Sequence, residues 1–283
     1  MNSLGLAPLT IAAAQVESVA GDVAGNAKTA ADLVREGAAA GSRVVVLPEL
    51  FLPGYDMATL AADPDGCDVV DPMADPRLEP IRSACSETGT VGIVGASMRS
   101  GSRRTIGVLV VDGDGDGDGD GGVRHAYDKQ HLLSTEREVF EPGRDRTIVT
   151  VDGWPLGLAV CYDGCFPEHA RSLADDDALV YVAPAAYVVG SEHRRDVYYA
   201  ARALDNGCYV VFADLTGPCG AGSFSGGSAI YDPEGQPLVR AGAGREVVTA
   251  TLEADRLEQV RRDHGMGSDH RESLGPVRRL AAT

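Results

Sequence analysis

The run Val44-Val45-Val46-Leu47 has no polar residue to give it a solvent side. It is short enough for a strand and apolar in every direction, so it needs cover above and below. That requirement selects a layered α/β architecture. The neighbouring segments agree. Residues 9–16 are apolar and read as a strand. Residues 25–41 are alanine-rich, carry Leu33 and Val34, and close on glycine, which predicts a helix. A β-α-β opening favours parallel pairing.

Farther along, helices are predicted over 72–87, 167–173, 191–206 and 254–263, and strands over 91–98, 105–111, 123–127, 147–151, 155–160, 179–183, 209–213, 228–231 and 246–251. The consecutive strands of the middle and end favour antiparallel hairpins. A mixed sheet, or a two-sheet sandwich with outer helices, fits both halves. No linker or repeat divides residues 1–283, so a single domain is expected, with a polar tail from about 265. The Asp-Gly tract at 112–122 begins like a calcium loop, Asp112-x-Asp114-x-Asp116-Gly117. The twelfth position, where a bidentate Glu is needed, holds Val123, His125 or Tyr127 according to the starting residue. A hairpin tip is the better reading.

The formal net charge of −17 argues against nucleic acid and against anionic membrane surfaces, since both need a basic footprint. No window reaches the roughly 18 apolar residues of a membrane span, and Met1 to Thr10 lacks the basic start of a secretory leader. The six cysteines, Cys67, Cys85, Cys161, Cys165, Cys208 and Cys219, are scattered. Reduced thiols and a cytoplasmic location are expected.

Three predicted strands end on residues with chemistry. The first runs into Pro48-Glu49, where Leu47, Leu50 and Phe51 would desolvate the carboxylate and raise its pKa toward neutrality. A surface glutamate is the alternative. The second ends in Tyr127-Asp128-Lys129-Gln130-His131-Leu132. Its lysine is either a solvated edge charge or a cation aimed at a developing oxyanion. The third stops at Cys161, ahead of a helix started by Pro167. That cysteine is either a small buried hydrophobe or a nucleophile whose thiolate a helix N-terminus would favour. Together a Glu, a Lys and a Cys suffice for acyl transfer. The cysteine attacks, the carboxylate takes and returns protons, and the ammonium holds the negative charge. Each ends a predicted strand, so all three are expected to converge on one rim of the sheet.

These segments resemble the nitrilase, or carbon–nitrogen hydrolase, superfamily. Its Leu-Pro-Glu setting is matched by Leu47-Pro48-Glu49, followed by Pro53-Gly54-Tyr55. Its lysine setting is matched by 127–132, and its Cys-Tyr-Asp-x-x-Phe-Pro-Glu by 161–168, with Arg171 beyond. Glu136 lies four residues before Phe140-Glu141-Pro142-Gly143, as a second family glutamate does. Arg202-Ala203-Leu204-Asp205-Asn206-Gly207 is similar to the family's Arg-Ala-x-Glu-Asn segment, with Asp205 in place of Glu. The resemblance covers 11–252. It implies a four-layer α-β-β-α sandwich that pairs into a homodimer or higher homo-oligomer, and hydrolysis of a small-molecule amide without cofactor or metal. Glu49, Lys129 and Cys161 would be catalytic, with Glu136 beside Lys129. Lys129 and the backbone N–H of Tyr162 would form the oxyanion site. Tyr55 and Tyr187 would shape the pocket. Glu192, His193 and Arg195 are either solvated charges in the first turn of a helix or readers of the substrate's far end, with Glu192 as partner for a cation. Cys165 is expected to pack, and the six histidines to be structural or on the surface.

Cys161-Tyr162-Asp163 and the compact chain fit the amidase and N-carbamoyl-amine branches better than nitrile conversion. The competing readings are a cysteine protease with a histidine base, a metal-dependent hydrolase and a catalytically silent scaffold on the same fold.

Overall fold

The computed structural model describes residues 4–113, 122–271, 273 and 275–280. The Asp-Gly tract therefore lies largely outside the described residues. In the first part of the chain, β1 (Leu9–Gln15) leads through α1 (Val23–Ala39) into β2 (Val44–Val46). Two short helices, α2 (Met57–Ala62) and α3 (Pro64–Cys67), and a short β3 (Asp68–Val69) follow. Then come α4 (Glu79–Thr88), β4 (Val91–Ser100), β5 (Arg103–Val111) and β6 (Val123–Asp128). The second part holds β7 (Ile148–Val151), β8 (Trp154–Leu158), α5 (Pro167–Asp175), β9 (Val180–Ala185), α6 (Glu192–Asn206) and β10 (Tyr209–Asp214). It continues with β11 (Thr216–Cys219), β12 (Gly222–Ser225), β13 (Ala229–Tyr231) and β14 (Pro237–Arg240). It closes with β15 (Glu246–Leu252), α7 (Ala254–Asp263) and α8 (Met266–Asp269).

One sheet has the order β15-β1-β2-β4-β5-β6, with β3 beside β4; the second has the order β14-β13-β10-β9-β8-β7, and β11 and β12 form a separate ribbon. The β1, β2 and β4 strands run parallel, as do β8, β9 and β10, with antiparallel strands outside them. The all-apolar run is explained by the layers. Val44 and Val46, with Ile11 and Ala13, face the second sheet and join a core with Leu156, Val180, Val182 and Val211. Val45 and Leu47, with Ala12 and Ala14, face away into a separate core with Leu33 and Val34 of α1 and Ile81 and Cys85 of α4. On the far side of the second sheet, Ala170 and Leu173 of α5 and Tyr199 and Ala203 of α6 provide the last layer. The architecture is the expected α-β-β-α sandwich.

The departures are local and have physical causes. The helix expected over 72–87 begins only at Glu79. Before it, Asp71 accepts from the N–H of Met73 and of Ala74, and Asp75 from that of Arg77, so the backbone turns instead of coiling. The unforeseen α2 and α3 are each started by an aspartate cap, Asp56 on Thr59 N–H and Asp63 on Gly66 N–H. Strands β3, β11, β12 and β14 span four residues or fewer and carry Gly, Pro or Asp, which hides them from a propensity reading. None of the six cysteines is in a disulfide. No helix among the described residues is long and apolar enough to cross a membrane.

Candidate active site

Glu49 leaves the end of β2. Leu47 N–H still pairs with Ile93 O (2.8 Å), after which Pro48 ends the ladder. Glu49 N–H then reaches across to Ala185 O at the end of β9 (3.3 Å), tying the rims of the two sheets together. Leu50 is left-handed, with φ +46°. Gly95 lies beneath this turn, and a Cβ there would sit 2.2 Å from Pro48 O. A glycine is therefore required for the carboxylate-bearing turn to settle against β4.

Lys129 follows β6, held by its N–H on Ile106 O (2.8 Å) and by Gly143 N–H on its carbonyl (2.7 Å). Its Nζ donates to Glu49 Oε1 (2.7 Å) and to Glu136 Oε1 and Oε2 (2.6 and 2.9 Å), and all three side chains are fully buried. Glu136 also accepts from Leu133 N–H (2.7 Å) and from the Tyr55 hydroxyl (2.5 Å). Each of its oxygens thus has two donors, which fixes its orientation.

Cys161 comes from the other sheet, three residues past the end of β8, and begins a single 3₁₀ turn over Cys161–Cys165. Two of the three candidates therefore lie on one sheet rim and the third on the facing rim, not all on one sheet. Cys161 has φ +44°, a left-handed conformation that costs a non-glycine residue roughly 1–2 kcal/mol. The surroundings hold it there. The Tyr199 hydroxyl donates to Cys161 O (2.9 Å), Arg202 Nε donates to Gly164 O (2.9 Å), and a Cβ on Gly164 would lie 2.8 Å from the Tyr199 ring. Asp163 is the hub. It accepts from Val160 N–H (3.0 Å) on its own turn, and from Tyr127 OH (2.8 Å) and His131 N–H (2.9 Å), which flank Lys129. One carboxylate thus fastens the cysteine turn to the lysine segment. Burial pushes the Asp163 carboxyl up, but His131, His169 and these donors outweigh it and hold it below the usual range. No role was foreseen for Asp163; its place in Cys161-Tyr162-Asp163 was the available signal.

Electrostatics set the protonation states. Burial pushes the Glu49 carboxyl up and Lys129 pulls it back, leaving it at about 7. Its Oε2 is buried without a hydrogen-bond partner of ordinary geometry, though the Cys161 thiol is close enough to lower the Glu49 pKa. The contact is therefore loose, as is common between a base and its proton donor before substrate arrives. Burial opposes the charge on Lys129, but the two carboxylates win and keep it an ammonium. Burial and Glu49 push the Cys161 thiol well above its ordinary value, against Lys129 and an N–H from Ala186 that bonds the sulfur. The expected help from a helix N-terminus does not decide the matter. The resting sulfur is a thiol, so its proton has to move to a neighbour when it reacts.

Above the sulfur lies a cavity of about 490 Å³, lined by Tyr55, Cys161, Tyr162, Cys165 and Tyr187 among others. Tyr55 and Tyr187, named from the sequence, both line it. Cys165, expected to pack, instead lines the cavity, with its sulfur 3.5 Å from the Tyr187 hydroxyl. Glu192 and His193, expected at the substrate's far end, are not among the lining residues. The face of α6 turned to the cavity carries Ser191, Arg194 and Tyr198, spaced three and four apart, and Glu192 is about 160° round the helix from Arg194. Glu192 instead accepts from Gly190 N–H (2.8 Å) at the helix start. Arg195 points inward to Ser225 and Gly226. A second cavity of about 550 Å³ beside Arg171, Asn206, Arg261 and His264 holds none of the candidate residues. Among the described residues no group of three or more His, Cys, Asp or Glu is arranged to hold a metal.

The sequence model of the carbon–nitrogen hydrolase family matches residues 10–262. An omega-amidase from Escherichia coli K12 is 32% identical over 225 residues, covering 78% of this chain and 81% of its own. An (R)-stereoselective amidase from Pseudomonas sp. is 30% identical over 235 residues, covering 82% and 80%. A glutamate-to-glutamine variant of an amidase from Nesterenkonia sp. AN1, with acrylamide added to its active-site cysteine, superposes with a TM-score of 0.77. It is 26% identical and covers 90% of this chain and 97% of its own.

Proposed function

The chain belongs to the carbon–nitrogen hydrolase family and is a hydrolase of non-peptide carbon–nitrogen bonds, and we propose that it cleaves a small amide or N-carbamoyl amine through a thioester on Cys161. The observation that carries this reading is the buried contact of Lys129 Nζ with Glu49 (2.7 Å) and Glu136 (2.6 Å), beneath a cavity lined by Cys161. As sulfur attacks the carbonyl carbon, its proton passes to Glu49. The C–S bond forms, and the carbonyl π pair moves to oxygen. Lys129 and the Tyr162 N–H hold that oxyanion; loss of one such donor typically costs about 3–4 kcal/mol. Collapse breaks the C–N bond while Glu49 protonates the departing nitrogen. Water, giving its proton to Glu49, then attacks the thioester, and the released sulfur recovers that proton. A carboxyl at about 7 suits a group that both takes and gives protons near neutrality. Glu136 and Tyr55 keep Lys129 aimed.

The test is an ammonia- and amine-release screen over primary amides, ω-amides, N-carbamoyl amines and nitriles, with Cys161→Ala as control. Turnover of an amide or carbamoyl compound that the control abolishes is expected. Turnover of nitriles alone, or no turnover with any of them, would overturn the reading. The same reading has two copies of the chain pairing, and light scattering that gives a monomer would strike that part.

A further inference from the structure

Resting on the amidase reading, we infer that Arg194 selects substrates whose far end carries a carboxylate, so that the preferred substrates are mono-amides of small dicarboxylic acids or N-carbamoyl amino acids. Arg194 is the one charged residue lining the cavity above Cys161 among the described residues. The other arginines of α6 are committed. Arg195 holds Asp196, Ser225 and Gly226, and Arg202 holds Gly164 and Asp205. Among the described residues none forms an ion pair or hydrogen bond with the Arg194 guanidinium, although the chain carries seventeen more formal negative charges than positive ones. A guanidinium left free in so acidic a protein, on the helix face turned to the nucleophile, has a fork of donors suited to a carboxylate.

The rest of the lining fits. Thr135 adds a hydroxyl, whereas that of Ser191 is engaged with Val188 O, and the tyrosines Tyr55, Tyr162, Tyr187 and Tyr198 with Phe166 form a wall suited to a short carbon chain. The overall charge does not forbid an anion. At physiological ionic strength a surface charge is largely screened beyond about 8 Å, so the nearest cation decides. Glu192, the residue that would have favoured a cationic substrate, is turned off the cavity and occupied with Gly190.

The experiment compares kcat/KM for mono-amides of four- to six-carbon dicarboxylic acids with their methyl esters and with ω-amino amides of equal length. The acids are expected to lead by tenfold or more. Arg194→Ala is expected to lower kcat/KM at least tenfold more for the acid than for its ester, mostly through KM, and Arg194→Lys to restore part of the difference. Equal rates for acid and ester, or equal losses in Arg194→Ala, would overturn the inference while leaving Cys161-dependent amide turnover intact. A binding arm does not depend on turnover. Glutaramic acid is titrated calorimetrically into the Cys161→Ala protein and into the same protein carrying Arg194→Ala. Tighter binding than its methyl ester, lost with Arg194, supports the inference; equal binding of acid and ester refutes it, even if no amide is hydrolysed.

Discussion

The floor and the mouth of the cavity are built differently. On the floor, Glu49, Lys129 and Glu136 are fully buried, and each lysine or Glu136 polar atom has its donor or acceptor within 2.9 Å. The mouth, where α6 presents Ser191, Arg194 and Tyr198, is partly or fully open to solvent, and Val188 and Val189 beside it are exposed. The floor has one low-energy arrangement because a buried charge without its partner is costly. The mouth has no such constraint. On the proposed reading, chemistry is fixed in the part that cannot vary without penalty, and selectivity sits in the part that can.

The sharpest way to break this contrast is at the floor. Cys161→Ala is expected to lower amide turnover by on the order of 10⁴-fold or more while the thermal unfolding midpoint barely moves. Lys129→Met is expected to be as inactive and also destabilised by about 3–5 kcal/mol, since two buried carboxylates lose their cation. A folded, active Lys129→Met protein would contradict the account of the floor. Next comes Glu49→Gln, with a loss of about 10²–10⁴ in kcat/KM. In the unaltered protein Glu49 has to be ionised to take the thiol proton, so kcat/KM is expected to fall as pH drops below about 7. That acid limb disappears in Glu49→Gln; its persistence would assign it to another group. Gly95→Ala probes the same carboxylate from below. A methyl 2.2 Å from Pro48 O has to displace the turn, with about 1–3 kcal/mol of stability and about 10²-fold in kcat lost. The smallest effect belongs to the mouth. Val189→Ser, at an exposed position, is expected to stay within about 0.5 kcal/mol by denaturant unfolding. A larger loss would show the mouth to be as constrained as the floor.

The same contrast explains what could be read from the sequence. Strands buried on both faces announce themselves, as Val44-Val45-Val46 does, because only apolar residues fit there. Residues at their ends inherit a defined place, so Glu49, Lys129 and Cys161 could be named in advance as a set. Whether they met on one sheet or across two depended on pairing between distant segments, which periodicity does not encode. Asp163 escaped notice because its work is to join Tyr127, Val160 and His131, and a hub shows only when its spokes are in place. The mouth was misassigned for a helical reason. Glu192, His193 and Arg194 are adjacent in sequence, and only the rotation of α6 decides which of them sees the cavity. The buried stripe Arg195, Tyr199, Arg202, Ala203 and Asn206 goes with that rotation, and its two arginines and asparagine hide it from a hydrophobicity reading.

The raised thiol of Cys161 has a consequence outside catalysis. Peroxide and most electrophiles react with the deprotonated sulfur, so a nucleophile stored with its hydrogen is slow to be oxidised or alkylated. Slow labelling by iodoacetamide in the absence of substrate is the expected mark of a sulfur held in that form.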